Sequence, residues 1–332
     1  MKRVNKAIIQ FSYGSPGQHI RIETRMLPLL KPRELLIRMR FAPINPADLN
    51  MMEGRYYIQP SLPAVLGNEG VGVVEEKGEE VSSFKKGDIV IIPFTKKGNW
   101  HGTWCEALIA EEEEVYPVPR GISLEQAAMC TVNPATAWML LKKFVPLKKG
   151  DWVIQNGANS GVGRFVMTFA KKSGYKTVNI VRRPELQEEL KRIGADEVIL
   201  MDTCAEHVKS LKERGIKLAL NCVGGESVNE MAKCLSQGAT VVTYGAMAKS
   251  PISVSNALLI YRDIRFVGGN RTRWIQEISL EEGQKIFKKV LTLCQKTKLK
   301  IPIQSIFPLE RYSEAIQAAS QSERQGKILL KL

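Results

Sequence analysis

Histidine is nearly absent. Only His19, His101 and His207 occur among 332 residues, and none lies in an H-E-x-x-H or H-x-C context. A catalytic zinc normally takes three His, Cys or carboxylate ligands, so no metal site is expected. The same scarcity leaves no Ser-His-Asp or Cys-His arrangement that spacing could support. The six cysteines (Cys105, Cys130, Cys204, Cys222, Cys234, Cys294) form no C-x-x-C pair. They read as reduced core thiols rather than a disulfide framework. No apolar run reaches the roughly eighteen residues of a membrane span. There is no signal-peptide core and no long Arg/Ser-rich presequence. A cytoplasmic protein is expected, or an organellar matrix protein whose presequence is missing from this chain. Asn270-Arg271-Thr272 matches the glycosylation sequon, which carries no weight without a secretion signal.

Positive charge is abundant. Lys and Arg number 48 against 34 Asp and Glu, a net +14. A basic surplus attracts polyanions over long range. The basic residues are spread along the chain rather than gathered in a tail, so no dedicated nucleic-acid arm is expected. Ligands that carry phosphates fit the charge better.

Residues 1 to about 120 read as short strands broken by Gly and Pro, among them Glu34–Met39, Gly70–Val74 and Ile89–Ile92. That pattern suits a small, partly barrel-like β domain. Helical stretches follow at 123–130 and 134–143. Strand and helix then alternate: Trp152–Gln155, Arg164–Lys172, Thr177–Val181, Glu185–Ile193, Glu197–Met201, Leu218–Cys222, Ser227–Leu235, Thr240–Thr243 and Ile264–Val267. Alternation at this spacing predicts βαβ units and a parallel sheet. A last helix, Glu281–Gln295, precedes a strand-like tail, Lys327–Leu330, which is expected to return to the first domain.

The strand Asp151–Gln155 runs into Asn156-Gly157-Ala158-Asn159-Ser160-Gly161-Val162-Gly163, where a helix opens. In a dinucleotide fold such a turn lets backbone N–H groups and the helix N-terminus hold a pyrophosphate, and small residues allow its close approach. Ala158, Ser160 and Gly163 fall at the three usual glycine positions, two of them substituted by the next-smallest residues. A plain tight turn would look similar, but the surrounding βαβ units favour the nucleotide site. Dinucleotide folds that take NAD place Asp or Glu after the second strand to bind the ribose 2′-OH. Here Val181 is followed by Arg182-Arg183, with no carboxylate before Glu185. A guanidinium fork binds a 2′-phosphate, so NADPH is the expected cofactor; a solvated helix start is the bland alternative.

Several segments together resemble the medium-chain dehydrogenase/reductase superfamily, and more narrowly its zinc-free 2-enoyl thioester reductases of mitochondrial type. They are Ile44–Asn50, Gly54-Arg55-Tyr56, Leu62–Val65, Gly67–Gly70, Asn133–Ala137, Gln155–Gly163, Leu220–Gly225, Val242–Gly245 and Met247–Lys249. Asn68 stands where a zinc-binding relative offers His. The resemblance implies an α/β architecture: a Rossmann doubly wound parallel sheet over 122–300, plus a GroES-like β-rich catalytic domain over 1–121 with 301–332. It implies an active site in the cleft between them, and usually a homodimer. The implied reaction is NADPH-dependent reduction of a trans-2-enoyl thioester of coenzyme A or acyl carrier protein, in fatty acid synthesis. Hydride goes to Cβ and a proton to Cα.

Tyr56 matches the family's Gly-x-Tyr proton donor; a phenol can hydrogen-bond a developing enolate and supply the proton. Tyr57 offers the same chemistry next door. The family's cofactor contacts map onto Asn133, Asn159, Ser160, Gly161, Val162, Gly163, Arg182, Arg183, Tyr244, Gly245, Ala246, Met247 and Lys327. Lys327 is expected as a second clamp on the cofactor phosphates. Gly269 and Asn270 stand where the family typically has an aromatic pair beside the nicotinamide, Arg271 follows them, and all three are expected to contact the cofactor. Loss of those rings predicts a more open pocket. The Arg182-Arg183 pair is also shorter than the family's usual R-x-R. A zinc-free NADPH:quinone oxidoreductase shares the fold and is the alternative reading. A nonenzymatic nucleic-acid binder is a third.

Overall fold

The computed structural model describes residues 4–93, 102–322 and 324–332. His101 lies outside them. The chain divides into two compact units, 1–132 with 280–332, and 133–279.

The first unit opens with β1 (Val4–Gln10), β2 (Ile20–Met26), β3 (Glu34–Pro43), α1 (Pro46–Met52), β4 (Ala64–Val65) and β5 (Gly70–Lys77). Then come β6 (Ile89–Ile92), β7 (Ala107–Glu111), β8 (Tyr116–Pro117) and α2 (Leu124–Ala127). Most of its pairings are antiparallel, and several strands are largely buried, as in Ala107–Glu111, while the edge strand Ile303–Pro308 alternates half-buried with exposed positions. Ile37, Met39, Val74, Val90 and Leu108 form one core cluster, and Ile8, Ile44, Leu66, Trp104 and Leu330 belong to another.

The second unit begins in α3 (Val132–Lys142) and continues β9 (Trp152–Gln155), α4 (Gly161–Ser173), β10 (Lys176–Val181), α5 (Leu186–Ile193), β11 (Glu197–Leu200) and α6 (Val208–Lys212). It is completed by β12 (Leu218–Asn221), α7 (Ser227–Lys233), β13 (Thr240–Thr243), α8 (Asn256–Ile260), β14 (Arg265–Gly268) and α9 (Arg271–Glu277). Its six strands are all parallel, in the order β11-β10-β9-β12-β13-β14. This is the doubly wound order, which reverses between β9 and β12. Helices cover such a sheet on both faces, so central strands bury every position: all four residues of β12 are buried.

The chain then returns to the first unit through α10 (Leu280–Thr297), β15 (Ile303–Pro308), α11 (Tyr312–Ser320) and β16 (Lys327–Lys331). β16 pairs antiparallel with β3 and parallel with β15. The unit boundaries at 132/133 and 279/280 differ from the expected 121/122 and 300/301. Side-chain bridges explain the difference. Gln126 in α2 both donates to Ile301 O at 2.9 Å and accepts from Ile301 N at 2.8 Å. On α10, the Phe287 ring lies 5.1 Å from Tyr116, and Gln284 donates to Glu113 O.

Candidate active site

The turn between β9 and α4 lies at the carboxyl end of the sheet, where the strand order reverses. Open α/β sheets bind ligands at such a point. Ser160 is the N-cap of α4, its Oγ accepting from Gly163 N at 3.1 Å. Gly161 and Val162, the first two helical residues, have no intrahelical acceptor for their N–H groups, which carry the positive end of the helix dipole. Gly163 is required by a close approach: a β-carbon there would lie 2.5 Å from Ala158 O.

The turn rests on buried carboxamides that spacing did not single out. Gln155 Nε2 donates to Gly163 O at 3.0 Å and to Asn179 Oδ1 at 2.7 Å. Asn156 Nδ2 donates to Asn221 Oδ1 at 2.8 Å, and Asn156 Oδ1 accepts from Cys222 N at 2.8 Å. Asn221 Nδ2 reaches Thr243 Oγ1 at 3.0 Å. The loops after β9, β12 and β13 are thus tied to one another before any ligand arrives. Arg164 is a further omission. It is buried on α4, with Nε donating to Asn159 O and Nη1 2.7 Å from Glu189 Oε1.

The structure brings Asn133 to this turn. It is the second residue of α3 and 6% exposed, and its Nδ2 has no hydrogen-bond partner. A β-carbon on Gly161 would lie 2.9 Å from that nitrogen. Tyr244 follows β13, its N–H donating to Asn221 O at 2.9 Å. Its phenol oxygen is buried near Cys222 and Ser160 without a hydrogen bond of ordinary geometry. Burial, reinforced by Cys222, holds that phenol well above its usual value of 10.0. Gly245 and Ala246 continue the same loop, and Met247 N donates to Cys222 O at 3.1 Å. Arg182 and Arg183 directly follow β10; Arg182 is exposed, and Arg183 Nε is 3.6 Å from Glu185 Oε1.

Gly269, Asn270 and Arg271 have definite structural placements. Gly269 N donates to Thr243 O at 2.8 Å. A β-carbon at Gly269 would lie 2.8 Å from Val242 Cγ1 and 3.3 Å from both Leu140 Cδ2 and Tyr244 Cβ. A side chain at this position would therefore displace its neighbours. Asn270 caps α9, accepting from Arg273 N at 2.9 Å, and Arg271 is buried at the start of that helix.

In the first unit, Tyr56 is half-buried and Tyr57 is 56% exposed. The loop that carries them is pinned on both sides. Tyr13 Oη donates to Pro60 O at 2.8 Å, Gly14 N to Met52 O at 2.9 Å, and Gln59 Nε2 to Gly54 O.

Lys327 is not presented as a surface clamp. It is 9% exposed, and its Nζ donates to Asn45 Oδ1. Asn45 Nδ2 donates in turn to Glu69 Oε1 at 2.9 Å. Glu69 Oε2 accepts from Thr131 N at 3.0 Å, Thr131 Oγ1 at 2.8 Å and Val132 N at 2.8 Å. Asp48 accepts from Asn45 N at 2.7 Å and from Asn68 Nδ2. Burial lowers the Lys327 ammonium to about 8, against the pull of Glu69 and Asp48. The segments Ile44–Asn50 and Gly67–Gly70 and Lys327 each stand out in the sequence, but nothing there signals that they meet.

A GroES-like domain joined to a doubly wound nucleotide fold defines the medium-chain dehydrogenase/reductases. The family model described as "Alcohol dehydrogenase GroES-like domain" matches residues 31–120, and "Zinc-binding dehydrogenase" matches 161–288. The chain is 38% identical over 322 residues to the mitochondrial enoyl-[acyl-carrier-protein] reductase of Xenopus tropicalis, covering 94% of this chain and 91% of that protein. The chain belongs to this enoyl reductase family.

A solved complex of Etr1p with NADP and crotonyl-CoA superposes with a TM-score of 0.87 at 26% identity, covering 99% of this chain and 100% of that one. The Etr1p/Etr2p heterodimer, a mitochondrial 2-enoyl thioester reductase of Candida tropicalis, gives 0.88 at 26% identity, with the same coverage. A quinone oxidoreductase of Pseudomonas syringae gives 0.84 at 25%, again with 99% and 100% covered.

The zinc in the matching model's description does not fit this chain's buried cluster. Its donors are two amides and two carboxylates already engaged by an ammonium and by N–H groups. Among the described residues, no three His, Cys, Asp or Glu side chains are grouped to hold a metal. A dinucleotide does fit the second unit. The unpartnered Asn133 Nδ2 and the free helix amides flank a turn too tight for any side chain at Gly163. A buried donor without an acceptor costs about 1–3 kcal/mol, which a ligand oxygen would recover.

Proposed function

We propose that this chain reduces the C2=C3 double bond of trans-2-enoyl thioesters at the expense of NADPH, on coenzyme A or acyl carrier protein, in fatty acid synthesis. The observation that carries this reading is the 38% identity to an enoyl-[acyl-carrier-protein] reductase across 94% of the chain. When bound, NADPH supplies the hydride that reaches Cβ. The chain's own residues do the rest. The α4 N-terminus and the Asn159–Gly163 turn hold the pyrophosphate, Arg182 and Arg183 the 2′-phosphate, and Asn133 and the Tyr244–Met247 loop the remainder of the nucleotide. Tyr56 delivers the proton at Cα and hydrogen-bonds the thioester oxygen as negative charge develops there.

The test is NADPH consumption with a medium-chain trans-2-enoyl-CoA, comparing wild type, Tyr56→Phe and Tyr57→Phe, with a quinone as control substrate. Thioester-dependent turnover that falls at least about tenfold in Tyr56→Phe alone, the low end for a general acid, is the expected result. Turnover with the quinone only, indifferent to Tyr56, would move the chain to the quinone reductases.

Two finer readings accompany this one. The names of the relatives support a mitochondrial matrix location, to be checked by tagging the protein in cells. A homodimer is supported by the edge strand β14, whose Val267 is 38% exposed, and by the exposed Ile260 and Tyr261 at the end of α8. Light scattering of wild type against Ile260→Lys tests it, and a wild-type monomer would end it.

A further inference from the structure

The nucleotide turn is fastened to α5 by one buried arginine. Arg164, the fourth residue of α4, is 5% exposed. Its Nε donates to Asn159 O at 3.0 Å. The same peptide's N–H, on Ser160, donates to Gly157 O at 2.9 Å, so the peptide is held from both sides. The other end of the guanidinium lies 2.7 Å from Glu189 Oε1, a side chain that remains 40% exposed. Glu189 is held below the usual carboxylate range, first by its hydrogen bond to Arg164 and then by the charges of Arg192 and Arg183. Arg183 stands at the start of α5, its carbonyl accepting from Leu186 N at 3.3 Å, so it shares that helix end with Glu189 as well as pairing with Glu185. An unmasked carboxylate at that point would draw Arg183 away and repel a phosphate bound by it.

We propose that Arg164 is a positioning and specificity residue for the nucleotide. It clamps the phosphate turn through Asn159 and neutralises Glu189, keeping the Arg182-Arg183 corner receptive to a 2′-phosphate. This deepens the NADPH reading above and rests on it. The two functions separate physically. The clamp acts on the pyrophosphate, which NADPH and NADH share. The neutralisation acts on the 2′-phosphate, which NADH lacks, so only its loss changes the preference between the two cofactors.

The experiment is fluorescence titration of NADPH and NADH into the protein without thioester. Wild type, Arg164→Gln, Arg164→Lys and Arg164→Gln/Glu189→Gln are compared. In Arg164→Gln, NADPH affinity should fall roughly severalfold more than NADH affinity, because the uncovered Glu189 charge repels only the cofactor that carries a 2′-phosphate, through partly exposed surroundings. Arg164→Lys should weaken both cofactors and keep their ratio, because it retains the charge but not the fork. Adding Glu189→Gln to Arg164→Gln should restore the preference for NADPH. A partly misfolded sample lowers the active fraction for both cofactors alike and leaves the ratio unchanged. Equal losses for the two cofactors in Arg164→Gln, or no restoration by Glu189→Gln, overturn the proposal. Wild-type protein that binds both cofactors alike overturns the NADPH reading itself, and this proposal with it.

Discussion

Glu69→Gln is a nearly isosteric change that should nevertheless destabilise the first unit strongly. The Glu69 carboxylate is fully buried and accepts four hydrogen bonds, three on Oε2 and one on Oε1. A glutamine has one acceptor oxygen. If that oxygen keeps the Thr131 and Val132 donors, the new NH₂ faces Asn45 Nδ2. Asn45 must then turn over and present its own NH₂ to the Lys327 ammonium, which it now accepts through Oδ1. If the oxygen turns to Asn45 instead, the NH₂ faces three donors. Either orientation strands a buried donor, and Lys327 also loses a compensating charge. Removing one partner of a buried, hydrogen-bonded charge typically costs about 3–5 kcal/mol. In a domain of this size that lowers Tm by roughly 10 °C. Urea denaturation measures the loss. Hydrogen exchange at the Thr131 and Val132 amides locates it. Adding Lys327→Met removes the stranded ammonium and frees Asn45 to turn, so the double variant should be less destabilised than the two single losses summed, by at least about 1 kcal/mol. A Glu69→Gln protein within about 0.5 kcal/mol of wild type, a surface-like effect, would refute this account of the cluster.

Three further outcomes are expected. Arg182→Ala with Arg183→Ala should raise the KM for NADPH at least about tenfold while changing kcat little, since charge-assisted bonds are worth about 1.5–3 kcal/mol each; unchanged NADPH affinity would remove the 2′-phosphate assignment. Gly269→Phe forces a ring against Val242, Leu140 and Tyr244 and should cost about 1–3 kcal/mol by overpacking, read by thermal denaturation. An unaltered Tm would show that the site opens after all. Burial pushes the Asp48 carboxyl up to about 7, with Glu69 adding to the rise. The folded state therefore binds more protons than the unfolded one above about pH 4, and stability should fall as pH rises from about 4 to about 7. Asp48→Asn should flatten that slope in urea midpoints whatever it does to the absolute stability; an unchanged slope would locate the titration elsewhere.

What could be read from the chain beforehand was what depends on near neighbours. The parallel strands of the second unit announce themselves as short apolar runs, because a strand covered on both faces needs no polar alternation. The turn at 156–163 is readable because helix start, small residues and preceding strand are contiguous. Even there the expected helix began at Arg164, three residues late. Gly161 and Gly163 depress helix propensity, while the Ser160 cap and the packing on Ala158 override it. That the compact unit resumes near residue 280 is not readable from the chain for a different reason. The amphipathic pattern of α10 shows that it has an apolar face, but not that Phe287 will meet Tyr116. Lys327 and Asn45 are 282 positions apart, and Arg164 and Glu189 lie on different helices, so local pattern carries no trace of either contact.

The sign of the buried charge divides the two units in a way that composition could not reveal. In the second unit, the side chains that tie the nucleotide turn to neighbouring loops are carboxamides: Gln155, Asn156, Asn179 and Asn221. A carboxylate in any of those places could not donate, and would lose the bonds that Gln155 Nε2, Asn156 Nδ2, Asn179 Nδ2 and Asn221 Nδ2 make to oxygen acceptors. It would also set a fixed negative charge, in a low-dielectric setting, against a pyrophosphate bound at Gly161 and Val162. The nearby carboxylate that is engaged with the turn, Glu189, is paired with Arg164. The first unit does the reverse. It buries two carboxylates, Asp48 and Glu69, and sets one ammonium among them. Three ionisable groups and two amides there make one hydrogen-bonded network, although Asn68 Oδ1 has no donor, and a single change of atom type at Glu69 propagates through Asn45 to Lys327. The surplus of +14 attracts phosphates from a distance, but discrimination at the turn comes from which buried positions carry no negative charge.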